Sequence, residues 1–159
     1  MPVIELVTPI AAPIERVFDL ARSIDLHADS ASGTGERAVA GVTSGLIGPG
    51  DEVTWRARHL GVWQLLTVRI TAFERPTHFV DAMTRGAFRR MEHRHDFEPS
   101  AGGTVMRDRF AYEAPLGLLG RWAEALFLDR YLRSFLVDRN RTVKATAESD
   151  AWRRYIRSA

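Results

Sequence analysis

The sequence predicts an α+β domain: a curved antiparallel sheet of about six to seven strands wrapped on a long C-terminal helix, with two short helices after the first strand. Three observations carry this. From Asp51 onward, five strand-like segments follow one another with only turn-sized gaps between them. After Ala114-Pro115 no further proline occurs, and a helix from Leu116 to Glu148 would be about 50 Å long, the span of a small domain. Between Pro13 and Ala21 the apolar residues recur at helical spacing. A helix that long on a chain of 159 residues must lie across the sheet, and a sheet gripping one helix tends to enclose space.

Taken in order, Val3 to Thr8 reads as the first strand, with Ile4 and Leu6 on one face. Pro13 suits the first position of a helix whose stripe is Ile14, Val17, Phe18 and Ala21. A second short helix spans Ile24 to Ser30 and ends at the Ser-Gly-Thr-Gly stretch, 32–35. Glu36 to Val42 forms a second strand, and Gly45 to Gly50 a loop. That loop is no phosphate cradle, because no Lys-Ser/Thr and no helix follow it. The meander strands are 51–59, 62–73, 78–84, 88–98 and 104–113. In the closing run, Leu116, Leu119, Trp122, Leu126 and Phe127 form one apolar stripe. Leu132, Phe135, Leu136 and Val143 form another on nearly the opposite side. One straight helix cannot turn both to a sheet, so a bend or break is expected between Ala123 and Asp129, with a lid around Gly117 and Gly120.

Composition narrows the function classes. The apolar share of 45% and charged share of 26% are those of an ordinary globular protein. There is no cysteine, which removes thiolate chemistry and Cys-ligated metals. Net charge is only +2. Lys144 is the sole lysine, so 21 of the 22 basic residues are arginines, dispersed among acids and not clustered as nucleic-acid binding prefers. No apolar run approaches the roughly 20 residues that span a bilayer, and Met-Pro-Val-Ile-Glu is no secretory signal, so a cytoplasmic protein is expected. A single domain over 1–148 and a tail over 149–159 are expected, the tail frayed or docked on a partner.

Alternation along the meander sorts side chains by face. A two-residue turn at Leu60-Gly61 pairs His59 with Val62 and Trp55 with Leu66. The Pro76 turn pairs Phe73 with His78 and sets Ile70 opposite Asp81. A three-residue loop at 85–87 sets Asp81 opposite Met91 and Phe79 opposite His93. A loop at 99–102 sets His93 opposite Asp108, or His95 if the hairpin slips by two. One face collects Val53, Trp55, Leu66, Val68, Ile70, Phe79, Met83, Met91, Phe97, Met106, Phe110 and Tyr112. The other collects Arg56, Arg58, Arg69, Arg90, Arg94, Arg107 and Arg109. Among the apolar set the parity also places Asp81, His93, His95, Asp108 and His59. Buried carboxylates and imidazoles are costly unless paired, so they should bond one another. The cluster reads as a polar network fixing register, as ligand recognition inside a cavity, or as an acid–base pair. Two His and an Asp suit zinc, but His-x-His is common in ordinary strands, so neither a metal nor a cofactor is expected. His27, alone on its helix, reads as a surface or capping residue.

This order of elements resembles the helix-grip fold of the START-like (SRPBCC) superfamily. Ile10-Ala-Ala-Pro13-Ile-Glu15-Arg-Val-Phe18 is similar to that family's opening helix. The series Phe79-x-Asp81, His93-x-His95-x-Phe97, Gly103-Thr104, Asp108 and Tyr112-x-x-Pro115 resembles a bacterial, ligand-binding, polyketide cyclase/dehydrase-like subgroup, as does Arg139-Asn140 in the helix. The superfamily hosts lipid carriers, cyclases, hydroxylase domains and chaperone activators on one frame, so the resemblance implies fold more than reaction.

The expected function is binding of a hydrophobic or aromatic small molecule between sheet and C-terminal helix. Its contacts would come from Trp55, His59, Asp81, Met91, His93, His95, Asp108, Phe110 and Tyr112. One alternative is a cyclase, dehydratase or isomerase in which His93 or His95 is general base, oriented by Asp108. The other is an interaction module using the arginine-rich face or the Trp152 to Arg157 segment.

Overall fold

The computed structural model describes residues 1–114 and 121–157. Its strands are β1 (Val3–Ile10), β2 (Arg37–Gly41), β3 (Glu52–His59), β4 (Val62–Glu74), β5 (His78–Arg85), β6 (Arg90–Ser100) and β7 (Gly103–Glu113). The helices are α1 (Ile14–Ala21), α2 (Ile24–Ser30) and α3 (Arg121–Ala147). All seven strands join one antiparallel sheet in the order β1-β7-β6-β5-β4-β3-β2. The first strand therefore pairs with the last. This is the helix-grip fold, the sheet closed over by α3.

The twelve apolar positions assigned to one face are all buried or half-buried, and the arginines assigned to the other point out. Registers differ in detail. His59 faces Val62 and Trp55 faces Leu66, as the Leu60-Gly61 turn requires. Between β4 and β5, Glu74 rather than Phe73 faces His78, and a bulge at residue 71 restores Ile70 opposite Asp81. Between β5 and β6 the ladder sits two residues from expectation, with Asp81 opposite His93 and Phe79 opposite His95, because the connection runs over 86–89. The β6–β7 turn tightens to Ala101-Gly102, so β6 continues through Pro99 and His95, not His93, faces Asp108. The slips at β5–β6 and β6–β7 are each two residues and leave those side chains on their faces, while the one-residue offset at β4–β5 is confined to the strand end beyond the bulge.

One half of the space under the sheet is filled by α1. Phe18 meets the edges of Phe73, Phe79 and Phe97 at 5.4, 5.5 and 5.2 Å between ring centres, a compact aromatic plug. The other half is crossed by α3. Leu136, Asn140, Val143 and Ala147 repeat at four, three and four residues and are buried. Of the first stripe expected on this helix, Leu126 and Phe127 are 57% and 58% exposed, while Leu116 and Leu119 lie outside the described residues. The helix runs unbroken from Arg121 to Ala147, so the break expected between Ala123 and Asp129 is not needed. The expected lid at Gly117 and Gly120 lies outside the described residues.

Residues 149–157 are packed, not frayed. Ser149 caps a 3-10 turn over Asp150–Arg154. Arg16 of α1 lies 4.5 Å over the Trp152 ring, the Tyr155 hydroxyl donates to Asp29 at 2.6 Å, and Ile156 is buried. Among the described residues no helix is long and apolar enough to cross a membrane.

Candidate functional site

Between α3 and the half of the sheet that α1 does not fill lies a cavity of about 280 Å³. Of the nine sequence candidates, Trp55, His59, Asp81, Met91, His93 and Phe110 line it. His95, Asp108 and Tyr112 do not; they stand behind that wall. Most of the remaining lining is aliphatic or aromatic, including Leu66, Val68, Phe88, Leu132, Phe135 and Leu136.

The polar cluster forms because β5, β6 and β7 set four inward positions in two adjacent rows, Asp81 beside His93 and His95 beside Asp108. Asp108 is its hub. Its Oδ1 lies 3.1 Å from His93 Nε2 and 2.8 Å from His95 Nδ1, and its Oδ2 accepts from Asn140 Nδ2 at 2.6 Å. The other ring nitrogen of His95 lies 3.1 Å from Asp81 Oδ1. His93, His95 and Asp108 are only 2–3% exposed, and the two imidazoles lie 3.8 Å apart between centres. A histidine facing a carboxylate with each nitrogen can donate from both, an arrangement that favours the imidazolium form of His95. Burial works against that charge, but the hydrogen bonds to Asp108 and Asp81 outweigh it and hold the His95 pKa above its ordinary value. His93 goes the other way. Burial, reinforced by the charge on His95, pushes it down to about 4, so it is neutral at pH 7. Burial would raise both Asp81 and Asp108, yet the imidazole hydrogen bonds prevail and both carboxyls titrate below the ordinary range, Asp108 well below.

A second polar pair lies across the cavity, and sequence reasoning missed it. His27 Nε2 meets Glu36 Oε1 at 2.7 Å, and the His27 ring stacks on Trp55 at 4.2 Å. His27 is therefore a wall residue, not a surface or capping one. The available signal was its place three residues after buried Ile24, on the inward stripe of α2. Burial, then the nearby Arg139 charge, depresses His27; Glu36, which burial alone would raise, is lowered by His27. Arg139 of α3 also lines the cavity, its Nη2 donating to the Ala21 carbonyl at 3.2 Å. His59 Nδ1 and the Tyr131 hydroxyl are hydrogen-bonded at 2.7 Å, which joins the β3–β4 hairpin to α3.

Ligand atoms of Asp81, His93 and His95 all lie within 4.8 Å of one another, a spacing a divalent cation can use. Here, however, both nitrogens of His95 already face carboxylates, and a metal would have to displace those protons. As it stands the cluster can hold a proton on His95. If Nε2 of His93 is the one protonated toward Asp108, its Nδ1 is left as an acceptor.

Comparison with known proteins adds the following. The family model described as "Polyketide cyclase / dehydrase and lipid transport" matches residues 1–148. Among solved structures the chain is similar to TTHA0849 from Thermus thermophilus, at 20% identity and a TM-score of 0.71 over 92% of this chain and 99% of that one. A START superfamily protein from Mycobacterium smegmatis gives 12% identity and a TM-score of 0.66, covering 92% and 97%. Major latex-like protein 151 from Panax ginseng gives 15% and 0.65, again over 92% and 97%. Among curated proteins none matches this chain in sequence.

Proposed function

The chain belongs to the polyketide cyclase / dehydrase and lipid transport family, and from that premise we propose that it binds a hydrophobic or aromatic small molecule in the cavity under α3. The observation that carries this reading is the cavity itself. Its volume of about 280 Å³ lies near the lower edge of the ~300–1,000 Å³ usual for ligand pockets, and its wall is mainly apolar with a few convergent polar groups. Trp55, Met91 and Phe110 supply flat or deformable apolar contact, and Asp81 and His93 the orienting hydrogen bonds. His95, Asp108 and Asn140 position those two without touching the ligand.

The test is native mass spectrometry of the whole protein, purified without detergent. A co-purifying mass of a few hundred daltons, lost on Leu132→Trp, is the expected result. Leu132 lines the cavity, and an indole there would occupy it. A bound mass that Leu132→Trp leaves in place would put the ligand elsewhere and end this reading.

A second reading, an acid–base enzyme, has one observation in its favour: His93 both lines the cavity and is held by Asp108. It predicts that His93→Phe abolishes turnover of a bound substrate while leaving its affinity within a few fold. The interaction-module reading has less support. On the arginine-rich face, Arg69, Arg94, Arg107 and Arg109 each have a carboxylate within 4.0 Å, and the C-terminal segment it would use is packed on α1 and α2.

A further inference from the structure

The charges buried around the cavity do not balance. Two carboxylates, Glu36 and Asp81, stand in its wall, and a third, Asp108, directly behind. Against them stand two cations, Arg139 in the wall and His95 behind. Burial lowers His27 and takes His93 down to about 4, which favours the neutral form of both. With those imidazoles neutral, the surroundings of the cavity carry more negative than positive charge.

The hydrogen-bonding capacity leans the same way. Asp81 commits Oδ1 to His95 and Glu36 commits Oε1 to His27. The second oxygen of each has no hydrogen-bond partner among the described residues, so the wall offers two anionic acceptors. Arg139 is the counterweight, since among the described residues no carboxylate lies within 4.0 Å of it. Even so, its charge is felt by both Glu36 and Asp81, lowering each. A ligand carboxylate entering beside Arg139 would compete with two fixed carboxylates for one guanidinium. A hydroxyl or ammonium would meet open acceptors instead.

We propose that the cavity selects ligands whose polar end is neutral and hydrogen-bond donating, or cationic, and disfavours a carboxylate on the same apolar body. This rests on the binding reading above and names the ligand class. It separates an alcohol, phenol or amine from a fatty acid, which an apolar pocket alone would not do.

The experiment compares 1-decanol, decylamine and decanoate as competitors of prodan, an uncharged fluorescent naphthalene, on the full chain at pH 7. The expected order has decanoate weaker than decanol by about tenfold or more and decylamine at least equal to decanol. Decanoate should tighten as pH falls toward its own pKa, while decanol stays level. Asp81→Asn should narrow the decanol–decanoate gap to under about threefold, and Arg139→Gln should widen it. Decanoate binding as tightly as decanol, with no tightening at lower pH, overturns the selectivity and leaves the binding reading standing. No displacement by any competitor, with no prodan bound at all, overturns the binding reading itself and this inference with it. Should Asp81→Asn fail to fold, the wild-type order and its pH dependence decide.

Discussion

Asp108 is where the buried polar groups converge, and its environment sets how they respond to change. It accepts from His93, His95 and Asn140 with almost no access to water. Removing the amide by Asn140→Ala leaves Oδ2 without its donor in the core and should cost about 1–3 kcal/mol in urea unfolding. A loss below about 0.5 kcal/mol would mean that water takes its place. The two histidines make stability peak in pH. His93 has a folded pKa near 4 against an ordinary 6.5, so between those values the unfolded chain binds a proton that the folded chain refuses. Stability therefore falls as pH drops, by something on the order of 3 kcal/mol from this residue. His95 is raised, so it holds its proton above 6.5, and stability falls as pH climbs through its folded pKa. Asp81 and Asp108, both lowered, add a further loss on acidification through the carboxylate range. The midpoint of thermal unfolding should be highest near pH 6.5, and His93→Gln should flatten the acid limb. An acid limb equally steep in that variant would remove His93 as its cause.

Among the elements, β7 begins under tight constraint. Gly103 has φ of 139°, and a Cβ there would lie 2.4 Å from the Ile10 carbonyl oxygen and 2.7 Å from the Ala12 nitrogen, both backbone. Gly103→Ala should destabilise by at least about 1–3 kcal/mol and expose the amides of β1 and β7 to faster hydrogen exchange. Unchanged exchange at Ile10 would show that the strands separate to make room at no cost. What could be foreseen here, and what could not, follows from strand geometry. Inward and outward faces were legible from Trp55 to Tyr112 because alternation survives any two-residue slip. The pairing of Asp108 with His95 rather than His93 was not, because it depends on whether Pro99 lies in the strand or the turn. The His27–Glu36 pair was hidden for another reason. Its halves lie on a helix and in a loop nine residues apart, with no shared period to align them. On α3 both apolar stripes were legible, but periodicity cannot tell which one the sheet will cover.

At the scale of the whole molecule, the C-terminal segment belongs to the core it closes. Ile156 is buried, and Trp152 and Tyr155 reach α1 and α2 through Arg16 and Asp29. Deleting residues 149–159 should lower the thermal midpoint by several degrees while leaving the sheet's circular dichroism in place. A midpoint unchanged within error would show the segment rests on the surface without holding it.

The pairing of β1 with β7 has a consequence for how the chain comes to be folded at all. Val3 lies opposite Ala111 and Ile10 opposite Thr104, and α3 secures the same strand through Asn140 to Thr8 and Lys144 to the Pro9 carbonyl. On the ribosome, β1 thus emerges well before β7 and α3, the neighbours that will hold it. Until roughly a hundred further residues have been synthesised, an apolar ribbon waits with both of its edges open, and the nascent protein is most exposed to chaperones and to aggregation during that interval.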